Sequence, residues 1–126
     1  MSSAMYSPTV LEHFRHPRNH GALDAPDIAA DGFNPLCGDR LRIEVKLDGD
    51  RVGAARFRGD ACAIAIAAAS VLTERLPGLS VAEAEGIEPS EVIGALDAEI
   101  KPARRQCASL SIDALRAGIA AYRLRA

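Results

Sequence analysis

The chain has no tryptophan and only 4% aromatic residues, so it lacks the stacking surfaces that usually grip single-stranded nucleic acid. It has no excess of positive charge either. Its 15 Lys and Arg stand against 17 Asp and Glu, and no basic block is long enough to make a nucleic-acid footprint. The longest nonpolar stretch, Ala61 to Ala69, is Ala-dominated and far too short to cross a bilayer, so no membrane span is expected. Met1 to Met5 lacks the basic start and apolar run of an export signal. With three cysteines at least one thiol stays unpaired, which suits a reducing cytoplasm. No two cysteines form a Cys-X-X-Cys pair, which argues against a thiol-disulfide oxidoreductase. Neither a Gly-rich phosphate loop nor a Ser-His-Asp arrangement is evident.

What is present fits one domain over residues 1–126. The chain is long enough to bury a core without a disulfide or metal to hold it, and 48% hydrophobic with 25% charged residues is an ordinary globular balance. The strongest local pattern is Leu41, Ile43, Val45, Leu47 alternating with Arg42, Glu44, Lys46 and Asp48, which predicts a half-buried strand. Asp48-Gly49-Asp50 supplies a turn, and Arg51 to Arg58 a second, antiparallel strand. Part of Ile28 to Phe33 is expected to add a third. Tyr6 to His16 predicts a short helix with Ser7 as cap and Pro8 at its first position, stopped by Pro17. Between them, Arg18 to Leu36 reads as an extended surface connection.

Cys62 to Arg75 predicts a helix with Ile64, Ala68, Val71 and Leu72 on one face. Ser80 with Glu83 forms a capping box, Pro89 to Leu96 gives a further short helix, and Leu110 to Arg125 an amphipathic closing helix. The expected fold class is therefore α+β: a small antiparallel sheet of about three strands, packed on one face by helices, with a long C-terminal helix.

Cys37, Cys62 and Cys107 lie in the contexts Asn34-Pro35-Leu36-Cys37-Gly38-Asp39, Gly59-Asp60-Ala61-Cys62 and Arg104-Arg105-Gln106-Cys107. These turn and cation-rich surroundings predict reachable thiols whose ionisation is favoured by a helix start at Cys62 and by Arg104 and Arg105 beside Cys107. Thiolates suit iron and zinc, and a carboxylate can take a fourth position, so Cys37, Asp39, Cys62 and Cys107 form a coherent ligand set. Gly38 lets Cys37 and Asp39 face one cavity. The bland alternatives are three unrelated core thiols and an Asp39 that only stabilises a turn. A structural zinc domain also stays open, and would unfold on chelation. Sulfur separations beyond about 8 Å would make shared ligation untenable, given Zn–S bonds of about 2.3 Å.

The chain resembles the iron-sulfur cluster assembly scaffolds of the IscU and NifU N-terminal type, with features of the SufU branch. The resemblance runs from Tyr6 to about Tyr122. It is carried by His13-Phe14-Arg15-His16-Pro17-Arg18-Asn19-His20-Gly21, the Cys37 segment above, Phe57 to Ala65 and Arg104 to Leu110. All three cysteines fall at the family's positions. The resemblance implies a cytoplasmic scaffold that accepts sulfur from a cysteine desulfurase, with Cys37 and Cys107 as candidate acceptors. A transient [2Fe-2S] cluster would be built on Cys37, Asp39, Cys62 and Cys107 and passed to apo iron-sulfur recipient proteins. Three thiolates and one weaker carboxylate suit temporary holding.

Two departures qualify this. Gln106 stands where IscU-type scaffolds have His, and Glu99-Ile100-Lys101-Pro102-Ala103 replaces the Leu-Pro-Pro-Val-Lys segment read by that system's chaperone. Arg104, three residues before Cys107, is similar to the SufU branch, whose members hold Zn2+ on the same ligands and relay sulfur, although that branch's insertion before the third cysteine is absent. The alternative implied is thus a zinc-bound sulfurtransferase that never holds a cluster. His13, His16 and His20 cluster near the N-terminus, where a structural or docking role is expected over metal binding.

Overall fold

The alternation of Leu41, Ile43 and Val45 becomes the buried inner face of a three-stranded antiparallel sheet made of β1 (Ile28–Asn34), β2 (Asp39–Asp48) and β3 (Arg51–Asp60). The order is β1-β2-β3, with Ile43 opposite Ala30 on one side and Phe57 on the other. All three expected strands are present in this computed structural model, which describes residues 6–126; the reading of Met1 to Met5 falls outside them. Gly59 pairs with Leu41, and a Cβ there would lie 2.1 Å from the Arg40 carbonyl oxygen. Only glycine lets β2 and β3 remain zipped to the end that carries Asp39.

Five helices accompany the sheet among the described residues: α1 (Pro8–Arg15), α2 (Ala63–Arg75), α3 (Val81–Glu85), α4 (Pro89–Ala95) and α5 (Arg105–Arg125). Ser7 caps α1 by accepting the Val10 N–H, and its hydroxyl donates to the Leu96 carbonyl at 2.6 Å. Ser80 and Glu83 form the reciprocal capping box of α3. α5 packs on the inner sheet face and rides close to β1, because Gly118 leaves no side chain where a Cβ would sit 3.0 Å from Ile28 Cγ2.

Two helices differ from the pattern in the sequence. α5 begins five residues before Leu110: Pro102 opens a 3-10 turn through Arg104 that runs straight into the helix. The exposed Arg105 and Gln106 interrupt the apolar stripe and conceal that start. α2 is buried all round from Ile64 to Thr73, not on one face only, since α1 and α4 cover the sides that the sheet and α5 do not. Its small alanines allow this close packing from every direction.

The connection from Arg18 to Asp27 is a strap over the other sheet face. Asn19 and Gly21 exchange backbone hydrogen bonds with Phe57, at 3.0 and 2.8 Å. The chain then passes Glu44, whose Oε1 accepts the Leu23 N–H at 2.8 Å, and joins β1 where the Asp27 N–H reaches the Val45 carbonyl. Glu44, on the polar side of the alternation, is thereby only 4% exposed. Burial alone would raise its pKa, but the Leu23 N–H, Arg42 and Arg58 outweigh it and hold the carboxyl below its usual value. No described helix is long and apolar enough to cross a membrane.

Candidate metal centre

The candidate ligands come from three elements that end at one corner of the fold. Between β1 and β2 the chain reverses through residues 35–38, closed by the Gly38 N–H on the Asn34 carbonyl at 2.8 Å, with Gly38 at φ +75°. Asn34 braces the turn from inside: its Oδ1 accepts the Leu36 N–H at 3.1 Å. This places the exposed Cys37 at the turn's tip and Asp39, 4% exposed, at the first residue of β2. Cys62 is the N-cap of α2, and Cys107 lies in the first turn of α5. The N-terminus of α2 thus carries Cys62 at this corner, a favourable setting for an anionic ligand.

Cys37 and Cys107 Sγ are 3.5 Å apart, and together with an Asp39 oxygen they lie within 4.8 Å of one another. A tetrahedral site with Zn–S bonds of about 2.3 Å has sulfurs about 3.8 Å apart, so this pair already stands near the spacing of two ligands on one ion. Cys62 is not in that trio, yet it adjoins it. Its N–H donates to Asp39 Oδ1 at 3.0 Å, and its thiol faces both Asp39 and Cys107. Asp39 Oδ2 is buried with no hydrogen-bond partner among the described residues. An orphaned carboxylate oxygen beside clustered thiols is the donor set a thiophilic cation would satisfy.

The electrostatics of this corner depart from the sequence reading in one respect. Cys107 was expected to be reachable and to ionise readily beside Arg104 and Arg105; it is 1% exposed instead. Burial pushes its pKa well up, with the facing Cys37, Cys62 and Asp39 adding to the rise. Arg105 is exposed and points its charge to solvent, while Arg104 is half-buried. The neighbouring charge of Cys62 raises the Arg104 pKa, which burial opposes and Cys107 and Tyr6 reinforce. Burial would raise the Asp39 pKa too, but the facing Cys37 thiol, the Cys62 N–H and the thiols of Cys62 and Cys107 hold it below its usual value. A bound cation would reverse the balance at Cys107, since thiol ligands release their protons on binding.

Residues 5–126 match the family described as the NifU-like N terminal domain. The chain belongs to that family. It is 37% identical to the zinc-dependent sulfurtransferase SufU of Bacillus subtilis, over 92% of this chain and 90% of that protein. It is 36% identical to the iron-sulfur cluster assembly scaffold protein IscU of Haemophilus influenzae, over 95% of this chain and 97% of the other. A crystal structure of a candidate SUF-system scaffold from Fervidobacterium islandicum superposes with a TM-score of 0.80, covering 94% of this chain and 99% of that one at 24% identity. This family member therefore shares its fold with a SUF-type relative and its sequence with both the IscU and SufU branches.

One contributor escaped the sequence reading. Asn34 is 6% exposed, and its Nδ2 donates to Cys107 Sγ at 3.9 Å. The signal was an amide residue ending a strand just before Pro35. His13 is buried, with Nδ1 2.7 Å from Ser70 Oγ on α2.

Proposed function

We propose that this protein accepts sulfur from a cysteine desulfurase, assembles a transient [2Fe-2S] cluster on Cys37, Asp39, Cys62 and Cys107 with an external electron donor reducing the persulfide sulfur to sulfide, and passes it to apo recipient proteins in the cytoplasm. The observation that carries this reading is the pairing of an exposed Cys37 with a buried Cys107, 3.5 Å apart, beside the orphaned Asp39 oxygen. Cys37 is the thiol a macromolecular donor can reach. Its thiolate attacks the outer sulfur of the desulfurase's persulfide; the sulfur-sulfur bond breaks, the desulfurase cysteine leaves as thiolate, and Cys37 carries the persulfide. Cys107 is the next sulfur within reach. The cluster is cargo here, and a ligand set with one carboxylate holds it less firmly than four thiolates would.

A second reading has its own support. Arg104 stands beside Cys62 and Cys107, and Gln106 offers no imidazole ligand, features that favour a resident Zn2+ on the same four residues and a protein that relays persulfide sulfur only. Zinc would supply a positive centre that keeps the thiols deprotonated.

The deciding experiment is anaerobic reconstitution with a cysteine desulfurase, cysteine, a thiol reductant and ferrous iron, followed by visible spectroscopy and iron, zinc and sulfide analysis. Matched iron and sulfide that disappear in Cys37→Ser and move to an apo-ferredoxin support the scaffold. Retained zinc, no cluster and faster desulfurase turnover support the sulfurtransferase.

A further inference from the structure

On the sheet face opposite the helices, next to the Cys37 turn, lies a groove of 470 Å³ lined by Asp31, Phe33, Arg40, Arg42, Arg58 and Gly59. The register explains its composition: Arg42 sits between Asp31 on β1 and Arg58 on β3, and Arg40 sits beside Phe33. The strap covers Glu44 but stops short of these residues. Buried Glu44 holds two of the guanidinium groups from beneath, Arg42 Nε at 2.8 Å and Arg58 Nη1 at 3.2 Å. Arg58 Nη1 is buried and makes no hydrogen bond among the described residues, while the side chain as a whole is 42% exposed. The Arg40 guanidinium stacks 5.1 Å from the centroid of Phe33, a ring that is itself 54% exposed. Among the described residues Arg40 has no carboxylate partner.

Three guanidinium groups thus meet the carboxylates of Asp31 and Glu44, the latter sealed under the strap, while Asp60 stands opposite Arg40 at the end of β3. Within the groove's own lining three arginines face one carboxylate, on a chain whose formal net charge is -2. Arginine forks held in place before binding suit planar carboxylates, and exposed Phe33 and Leu36 add apolar contact. A continuous phosphate backbone fits less well, because the largely exposed Asp31 carboxylate would repel it while accepting a peptide N–H.

We infer that this groove docks an extended acidic segment of a partner protein, with Arg40 and Arg58 taking its carboxylates and Phe33 its apolar side chains. The inference goes beyond the function proposed above and does not depend on which load the thiols carry.

The test uses the full chain and a fluorescein-labelled peptide of Glu alternating with Leu, read by anisotropy and by amide shifts of the 15N-labelled protein. Saturable binding is expected, with shifts at Phe33, Arg40, Arg42, Arg58 and Gly59. It should weaken about tenfold in Arg40→Gln and as salt rises, while Arg40→Lys recovers only part. Phe33→Ala, at an exposed ring, should weaken it independently. No saturable binding, shifts confined elsewhere, or unchanged affinity in both variants overturns the inference. So does tighter binding of a single-stranded oligonucleotide at the same residues. The readout contains no metal or sulfur, so failure here and failed reconstitution are told apart.

Discussion

Asn34 and Gly59 hold the candidate centre in place without being ligands. Removing the Asn34 amide leaves the Leu36 N–H and the Cys107 sulfur without their partner, so Asn34→Ala should cost about 1 kcal/mol and let Cys37 drift from Cys107. A lowered urea midpoint together with weaker zinc retention against a chelator would show both effects; an unchanged chelator titration would make Asn34 a turn residue only. At Gly59 the obstacle is backbone, since the Arg40 carbonyl sits 2.1 Å from where a Cβ would be. Gly59→Ala must therefore part β2 from β3 beside Asp39, at about 3 kcal/mol or more, visible as a large drop in Tm. A Tm within two or three degrees of the parent, on the order of a fraction of a kcal/mol, would mean the strand end relaxes freely.

At the scale of elements, the seam between α1 and α2 is sensitive to acid. Burial, with Arg18 adding, lowers the His13 pKa, while Glu74 and Glu12 oppose the shift. The folded chain then binds the proton less readily than the unfolded one, so stability falls as the pH drops below about 6.5. Asp39 and Glu44 act in another window: their depressed pKa values give stability that is present above about pH 4 and is lost as the pH falls from there through their folded-state values. Urea midpoints at about pH 7.5 and about pH 5.5 should differ in the parent and converge in His13→Gln. Equal slopes in both proteins would remove His13 as the cause.

The elements also show what a sequence can disclose. β2 was plain because one of its faces meets the core and the other bears charge, so its period of two is written in residue type. α2 was placed correctly, but its all-round burial was hidden, since alanine reads alike on a covered or an open face. Glu44 looked like any solvent-facing strand residue; the strap that buries it has no periodicity to announce its path. At the centre, the set of Cys37, Asp39, Cys62 and Cys107 was legible in residue chemistry and in the resemblance, and the structure brings Cys37, Asp39 and Cys107 within 4.8 Å of one another. The burial of Cys107 was not, because the neighbouring Arg105 and Gln106 are exposed and hide the buried face of α5 that Cys107 shares with Ala108 and Leu110.

For the molecule as a whole, the apolar core extends far beyond the candidate ligands. Val10, Ile43, Phe57, Leu72, Leu115 and Ile119 are each at most 1% exposed and belong to one cluster spanning α1, the sheet, α2 and α5. Chelation should leave the circular dichroism spectrum and cooperative unfolding intact, while saturating zinc raises Tm by linkage, about 2.7 kcal/mol at a hundredfold excess over Kd. Collapse of the spectrum on chelation would favour the structural zinc domain instead.

The three thiols are graded in depth: Cys37 exposed, Cys62 intermediate and Cys107 buried. Depth here sets a timetable. A trapping reagent such as iodoacetamide should mark Cys37 within the first moments, Cys62 later, and Cys107 only when the tip of the β1-β2 turn lifts away. The lag before the third label, followed by mass spectrometry, would time the opening of that lip, and any load seated behind it should lengthen the wait.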